Sequence, residues 1–259
     1  MREFFRRPGV RLAALGAAAY LLFLAVNLPA AWLGLALERA SRGAVVLGDA
    51  QGTVWEGSGA LGLRSAGTLR RVADIQWSVN PLSLFIGRLR VQVSGSASDA
   101  KVSARLTLSA SGASFQNVDA IAPASIVEPA FAAAAFARPE GRVRILADSL
   151  EIGDTWMRGA ASVEWTDAGL GGMQAQRLGD YRLQITASGE RAELSLATLR
   201  GDLRLNGQGE WRAAQPRLLQ LRGNAEVTAE RKDLEFLMRA LGARGTGMPQ
   251  PFAWSLPIG

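Results

Sequence analysis

Two hydrophobic patterns divide the chain. From Leu12 to Leu28 no residue is charged, and apolar character continues past Asn27 and Pro29 to Leu37. From Gly43 onward apolar and polar residues alternate with a period of two. Lys101-Val102-Ser103-Ala104-Arg105-Leu106-Thr107-Leu108 puts four apolar side chains on one face of a strand and four polar ones on the other. Tyr181 to Thr186, Glu193 to Leu196 and Asp202 to Leu205 repeat the pattern. Strands with one wet and one dry face belong to antiparallel sheet, whereas buried parallel strands are apolar throughout. Gly95, Gly189, Gly201, Gly207 and Gly223-Asn224 are read as punctuation between strands.

Helical patterns are few. Arg231 to Leu241 carries Leu234, Leu237, Met238 and Leu241 on one stripe, with Gly242 as a stop signal. The alanine-rich stretch Val118 to Arg138 is broken by Pro123 and Pro129 and reads as a short helix inside a connection. The tail, Gly245 to Gly259, reads as an extended segment or a last edge strand. An acidic or amide residue precedes tryptophan at Gln76-Trp77, Glu164-Trp165 and Glu210-Trp211. Repeated strand units in an elongated sheet would give this echo, as would the ordinary frequency of tryptophan in sheets. No strand–helix–strand rhythm appears, which argues against doubly wound folds. The expected fold is mainly β: a single N-terminal transmembrane helix, then an elongated, mostly antiparallel β-sheet domain with one or two short helices.

The N-terminal run is long enough for a membrane span, which needs about 20 helical residues. The predicted organisation is a cytoplasmic basic leader over 1–11, a transmembrane helix over 12–31 and a periplasmic β-rich domain over 43–259. Arg2, Arg6, Arg7 and Arg11 precede the span, and only Glu38, Arg39 and Arg42 follow it closely. The positive-inside rule then keeps the N-terminus in the cytoplasm and sends the bulk of the chain to the periplasm. A cleaved signal peptide, with small residues at Ala30 and Ala31, is the competing reading. Persistence of apolar residues to Leu37 favours a retained anchor in the inner membrane of a Gram-negative cell.

Composition narrows the chemistry. The chain has neither cysteine nor histidine, so thiol and imidazole nucleophiles, bases and metal ligands are excluded. Lys101 and Lys232 are the only lysines. The net charge is +6, but the four leader arginines and Glu3 account for half of it. The remaining arginines are scattered along strands, without the basic runs and interleaved aromatics that grip nucleic acid. Glu56, Asp74, Asp148, Glu151, Asp154 and Glu164 are the carboxylates available for acid/base work. Asp148, Glu151 and Asp154 are spaced more sparsely than a calcium loop requires and sit in a strand-and-turn setting. No catalytic residue, metal site or cofactor is assigned, and the expected protein is not an enzyme.

Two strings stand out. Gly52-Thr53-Val54-Trp55-Glu56-Gly57-Ser58-Gly59 lacks the Lys-Ser/Thr and the following helix of a phosphate loop. It reads as a glycine-rich strand with bulges and Trp55 packed on the sheet. The segment Ile75 to Leu89 reads as a strand, a corner at Pro81 and an apolar stretch assigned to the core, or else to the floor of an apolar groove.

With the basic leader and the single span, several strings in order resemble the type II secretion system protein N (GspN) family over most of the chain. They are Gly52 to Gly57, Trp77-Ser78-Val79-Asn80-Pro81-Leu82-Ser83-Leu84, Gly87-Arg88-Leu89, Leu178-Gly179-Asp180-Tyr181 and Leu203 to Trp211. The matching positions Gly52, Val54, Trp55, Gly57, Trp77, Pro81, Leu82, Gly87, Gly179, Gly207 and Trp211 are expected to be structural. The resemblance implies a bitopic inner-membrane accessory component that helps move folded proteins across the outer membrane. Its implied partners are other type II secretion subunits. AsmA-like envelope proteins share the span and the alternating strands, and their resemblance implies lipid binding or lipid transfer instead.

Overall fold

The computed structural model describes residues 8–65, 68–127, 138–171, 176–213, 218–227 and 249–257. Two helices come first, α1 (Pro8–Val26) and α2 (Ala31–Ala40). Among the described residues thirteen strands follow. These are β1 (Val45–Gly52), β2 (Glu56–Ser65), β3 (Thr68–Asn80), β4 (Arg88–Ser96), β5 (Lys101–Ser109), β6 (Gly112–Pro123) and β7 (Pro139–Ile152). The others are β8 (Met157–Leu170), β9 (Gln176–Gly189), β10 (Arg191–Arg200), β11 (Leu203–Arg212), β12 (Leu218–Val227) and β13 (Gln250–Pro257). All thirteen form one sheet in chain order, every neighbouring pair antiparallel. Among the described residues the first and last strands are not neighbours, so the sheet they form is open.

Period-two alternation sets the register. Because a slip of one residue would turn every side chain to the other face, the dry faces of successive strands must align. They do so along a row that crosses eleven strands. Ile75 faces Gly95, which faces Val102, and the row continues through Ala120, Ile145, Val163, Leu183, Leu196, Gly207 and Gly223 to Phe252. Every member is apolar or glycine. The tryptophans of the three-fold echo, Trp77, Trp165 and Trp211, each pack into or against a hydrophobic cluster.

Burial on this face is uneven. At its N-terminal end α2 lays Leu33 and Leu37 against a cluster holding Leu47, Ala73, Ile75 and Trp77. Gly34 lets the helix approach β1, since a Cβ there would sit 3.2 Å from the Leu47 carbonyl. At the far end Leu178, Tyr181, Leu203, Leu221 and Phe252 form a second cluster. Between them Leu108 and Ile145 are 39% and 41% exposed. Tyr181 ties the far cluster together: its hydroxyl donates to the Leu203 carbonyl at 3.0 Å, reaching from β9 to β11. Burial, with Asp180 and Asp202 nearby, pushes this phenol above its usual range, which keeps it a donor. Tyr181→Phe removes this buried hydrogen bond and is expected to lower unfolding free energy by about 0.5–1.5 kcal/mol. A urea titration of the two full-length proteins measures this.

Several expectations are corrected. The 12–31 span is not one helix. α1 ends at Val26, Pro29 makes an isolated bridge to Thr53, and α2 starts afresh at Ala31 and packs on the sheet. Proline lacks the N–H that would continue the helix and pushes the preceding residue to extended backbone. Among the described residues no helix is long and apolar enough to cross a membrane. The helix expected within Val118–Arg138 is strand β6 as far as Pro123, followed by a 3-10 turn, Ala124–Val127. Gly95, Gly207 and Gly223 do not separate strands; they lie inside β4, β11 and β12. Their missing side chains admit a neighbouring strand, as at Gly223, where a Cβ would lie 2.1 Å from the Asn206 carbonyl. The helix expected over Arg231–Leu241 lies outside the described residues. Of the tail, Gln250–Pro257 is the edge strand β13.

Candidate functional site

Most of the family-like positions converge on one end of the sheet, where the N-terminal helices meet it. The string from Gly52 to Gly57 is not a continuous strand: Gly52 ends β1, Glu56 and Gly57 begin β2, and 53–55 form the turn between them. Gly52 adopts φ +86°, which a side chain would oppose, and a Cβ there would sit 2.5 Å from the Glu56 carbonyl. The turn then grips the connection between α1 and α2. The Trp55 indole donates to the Ala25 carbonyl at 2.7 Å. The Val54 N–H donates to Leu28 at 2.9 Å, and the Ala30 N–H donates to Gly52 at 3.1 Å. Beneath it Trp77 is 3% exposed, its indole donating to the Thr53 carbonyl at 3.2 Å. Gly57 makes room for that ring, since a Cβ would lie 2.5 Å from it.

Directly after β3 comes a 3-10 turn, Pro81–Ile86. Asn80 caps it by accepting the Leu82 N–H at 3.0 Å, and Pro81 occupies the first turn position. Gly87 closes it in the left-handed conformation at φ +68°. Buried Ser83 donates to the Asn80 carbonyl at 2.6 Å and accepts the Arg90 N–H at 3.2 Å. The apolar corner is therefore not core: Leu82, Leu84, Phe85 and Ile86 all face out. Sequence reasoning passed over Thr53, Asn80 and Ser83, although Asn80-Pro81 is itself a helix-start signal.

The other three positions are not part of this end. Gly179 is in β9, packed backbone to backbone against Gly201. Gly207 is in the middle of β11, opposite Gly223 and beneath the Phe252 ring. Trp211 is buried with Ala192 and Leu194.

The polar face is organised by cross-strand charge. Asp119 on β6 accepts from Arg144 on β7 at 3.0 Å and lies 3.7 Å from Lys101 on β5. Glu164 accepts from Arg182 at 2.8 Å, and Asp180 pairs with Arg200 at 3.1 Å. Asp74 pairs with Arg71, while Glu56, Asp148 and Asp154 are exposed. Among the described residues no group of three or more acidic side chains is placed to hold a metal.

The Arg144 hydrogen bond, with the charges of Arg144 and Lys101, holds the Asp119 carboxyl below the usual aspartate range. A depressed folded-state value stabilises the fold above the unfolded value, about 3.9, and that contribution is lost as pH falls through the folded one. The stability gap between wild type and Asp119→Asn is therefore expected to narrow from pH 6 towards pH 3, read as urea midpoints. A groove of about 740 Å³ opens on the same face, where Arg88, Arg90 and Arg105 lie among Ser78, Asn80 and Thr107.

Comparison with known proteins adds one finding. The family model described as "Type II secretion system (T2SS), protein N" matches residues 43–249. No curated protein and no solved structure matches the chain.

Proposed function

We propose, from the premise that the chain belongs to the type II secretion system protein N family, that it is a non-enzymatic accessory component of that apparatus. In this reading it is held in the inner membrane and acts through its β domain in the periplasm, in export of folded proteins across the outer membrane. The family match over residues 43–249 carries the reading. An open antiparallel sheet suits a protein that works by contact, because its edge strands and broad faces offer docking surface.

In this reading the uncharged sequence run from Leu12 to Leu28, most of it in α1, holds the chain at the membrane. Over Pro8–Val26 the sequence has a single charged residue, Arg11. Leu12, Leu15, Leu21, Leu22 and Phe23 are all exposed, so the described residues leave them largely uncovered. Topology is tested by Ser98→Cys in this cysteine-free chain. A membrane-impermeant maleimide added to cells with a permeabilised outer membrane labels a periplasmic Ser98→Cys. Labelling only after the inner membrane is broken would contradict the assignment.

A second reading is favoured by one observation. The dry face is continuous and half-exposed at its centre around Leu108 and Ile145, as a lipid-binding or lipid-transfer module would need. Native mass spectrometry of gently purified protein carrying phospholipid would support it; protein free of lipid would count against it.

A further inference from the structure

We propose that the Pro81–Ile86 turn is a second membrane contact: its apolar tip seats in the bilayer interface while Arg88, Arg90 and Arg105 meet anionic lipid headgroups. The proposal rests on the reading of α1 as a membrane anchor and adds where the sheet touches the bilayer.

Exposure is the first observation. Leu82, Leu84, Phe85 and Ile86 are 71%, 48%, 88% and 64% exposed within one six-residue turn. A single exposed leucine is ordinary on a protein surface, but a contiguous group of large apolar side chains marks a contact site. The turn is also held in shape, by the Asn80 cap, the left-handed Gly87 and the Ser83 hydroxyl bonded on both sides. Its apolar side chains are presented outward by a rigid frame.

Position is the second observation. The Val79 N–H donates to the Trp55 carbonyl at 2.6 Å, and the Trp55 indole donates to Ala25 near the end of α1. Two hydrogen bonds thus join the base of the turn to the point where α1 ends. With the run that includes α1 held in the bilayer, as that reading has it, the tip is at the membrane surface.

Charge is the third. Arg88 and Arg90 on β4 and Arg105 on β5 line the groove beside the turn. Among the described residues none of the three forms an ion pair, whereas Arg144, Arg182 and Arg200 on the later strands do. Apolar side chains flanked by unpaired arginines match an interface of acyl chain and anionic headgroup.

The absence of cysteine permits single-site labelling of the full-length chain. Phe85→Cys, Leu82→Cys, Leu22→Cys and Ser98→Cys would each carry an environment-sensitive fluorophore, in vesicles of phosphatidylcholine and phosphatidylglycerol containing a spin-labelled quencher lipid. Ser98 lies past the far end of β4, about 30 Å from the turn at 3.3 Å per residue. Expected is quenching at Phe85, Leu82 and Leu22 several times that at Ser98. Quenching at Leu22 with none at Phe85 or Leu82 overturns the second contact and leaves the anchor standing. Quenching at Phe85 and Leu82 with none at Leu22 upholds the contact and removes the anchor. Replacing Arg88, Arg90 and Arg105 with Gln should reduce Phe85 quenching to its level in pure phosphatidylcholine. Unchanged quenching overturns the headgroup assignment.

Discussion

Trp77→Ala is expected to lower unfolding free energy by about 3–5 kcal/mol, the usual cost of truncating a buried aromatic side chain. The ring is 3% exposed, sits among Ala30, Leu47, Ile75 and Val79, and fits against the open space at Gly57. Its loss leaves a cavity under α2 and frees the Thr53 carbonyl that its indole satisfied. The damage should be local in origin, because the far cluster around Tyr181 shares no residue with this one. Urea titration followed by far-ultraviolet circular dichroism measures the loss, and hydrogen exchange should show β1 to β3 losing protection first. A cost below about 1 kcal/mol would mean the site collapses around the cavity without loss.

Gly179→Ala is expected to cost about 2–5 kcal/mol, from backbone strain and overpacking together. Gly179 adopts φ +149°, and an added Cβ would lie 2.3 Å from the Arg200 carbonyl. Gly201, at φ +133°, faces the same contact from the turn between β10 and β11, where an added Cβ would lie 2.4 Å from the Gly179 Cα. Because both substitutions force apart the same pair of backbones, the double variant should lose clearly less than the sum of the singles. Additivity within about 0.5 kcal/mol would show that the two strains are relieved independently.

The strands were readable because their signal is local. Lys101 to Leu108 alternates cleanly, and the structure places it in β5 with Val102, Ala104 and Leu106 in register with Gly95, Val93 and Val91. Where the reading failed, the deciding contact lay far away in sequence. Gly95, Gly207 and Gly223 looked like breaks, yet each is kept small by the strand beside it. Leu82 to Ile86 looked like core because hydropathy counts apolar side chains without knowing what covers them. The 12–31 run looked like one helix because hydropathy does not register that Pro29 bridges Thr53 or that α2 packs on β1. The string Gly52 to Gly57 was visible as distinctive, but its role depends on Trp55 reaching Ala25, thirty residues earlier. No periodicity reports such a contact.

Membership of the secretion family predicts that the β domain touches other subunits of the apparatus in the cell. A photo-crosslinking residue placed at exposed positions of the polar face, such as Ser94, Gln184 and Gln208, in the full-length chain tests this directly. Recovery of type II secretion subunits, strongest from one of these positions, is the result this account predicts. Recovery of phospholipid alone, with no secretion subunit from any position, would contradict it.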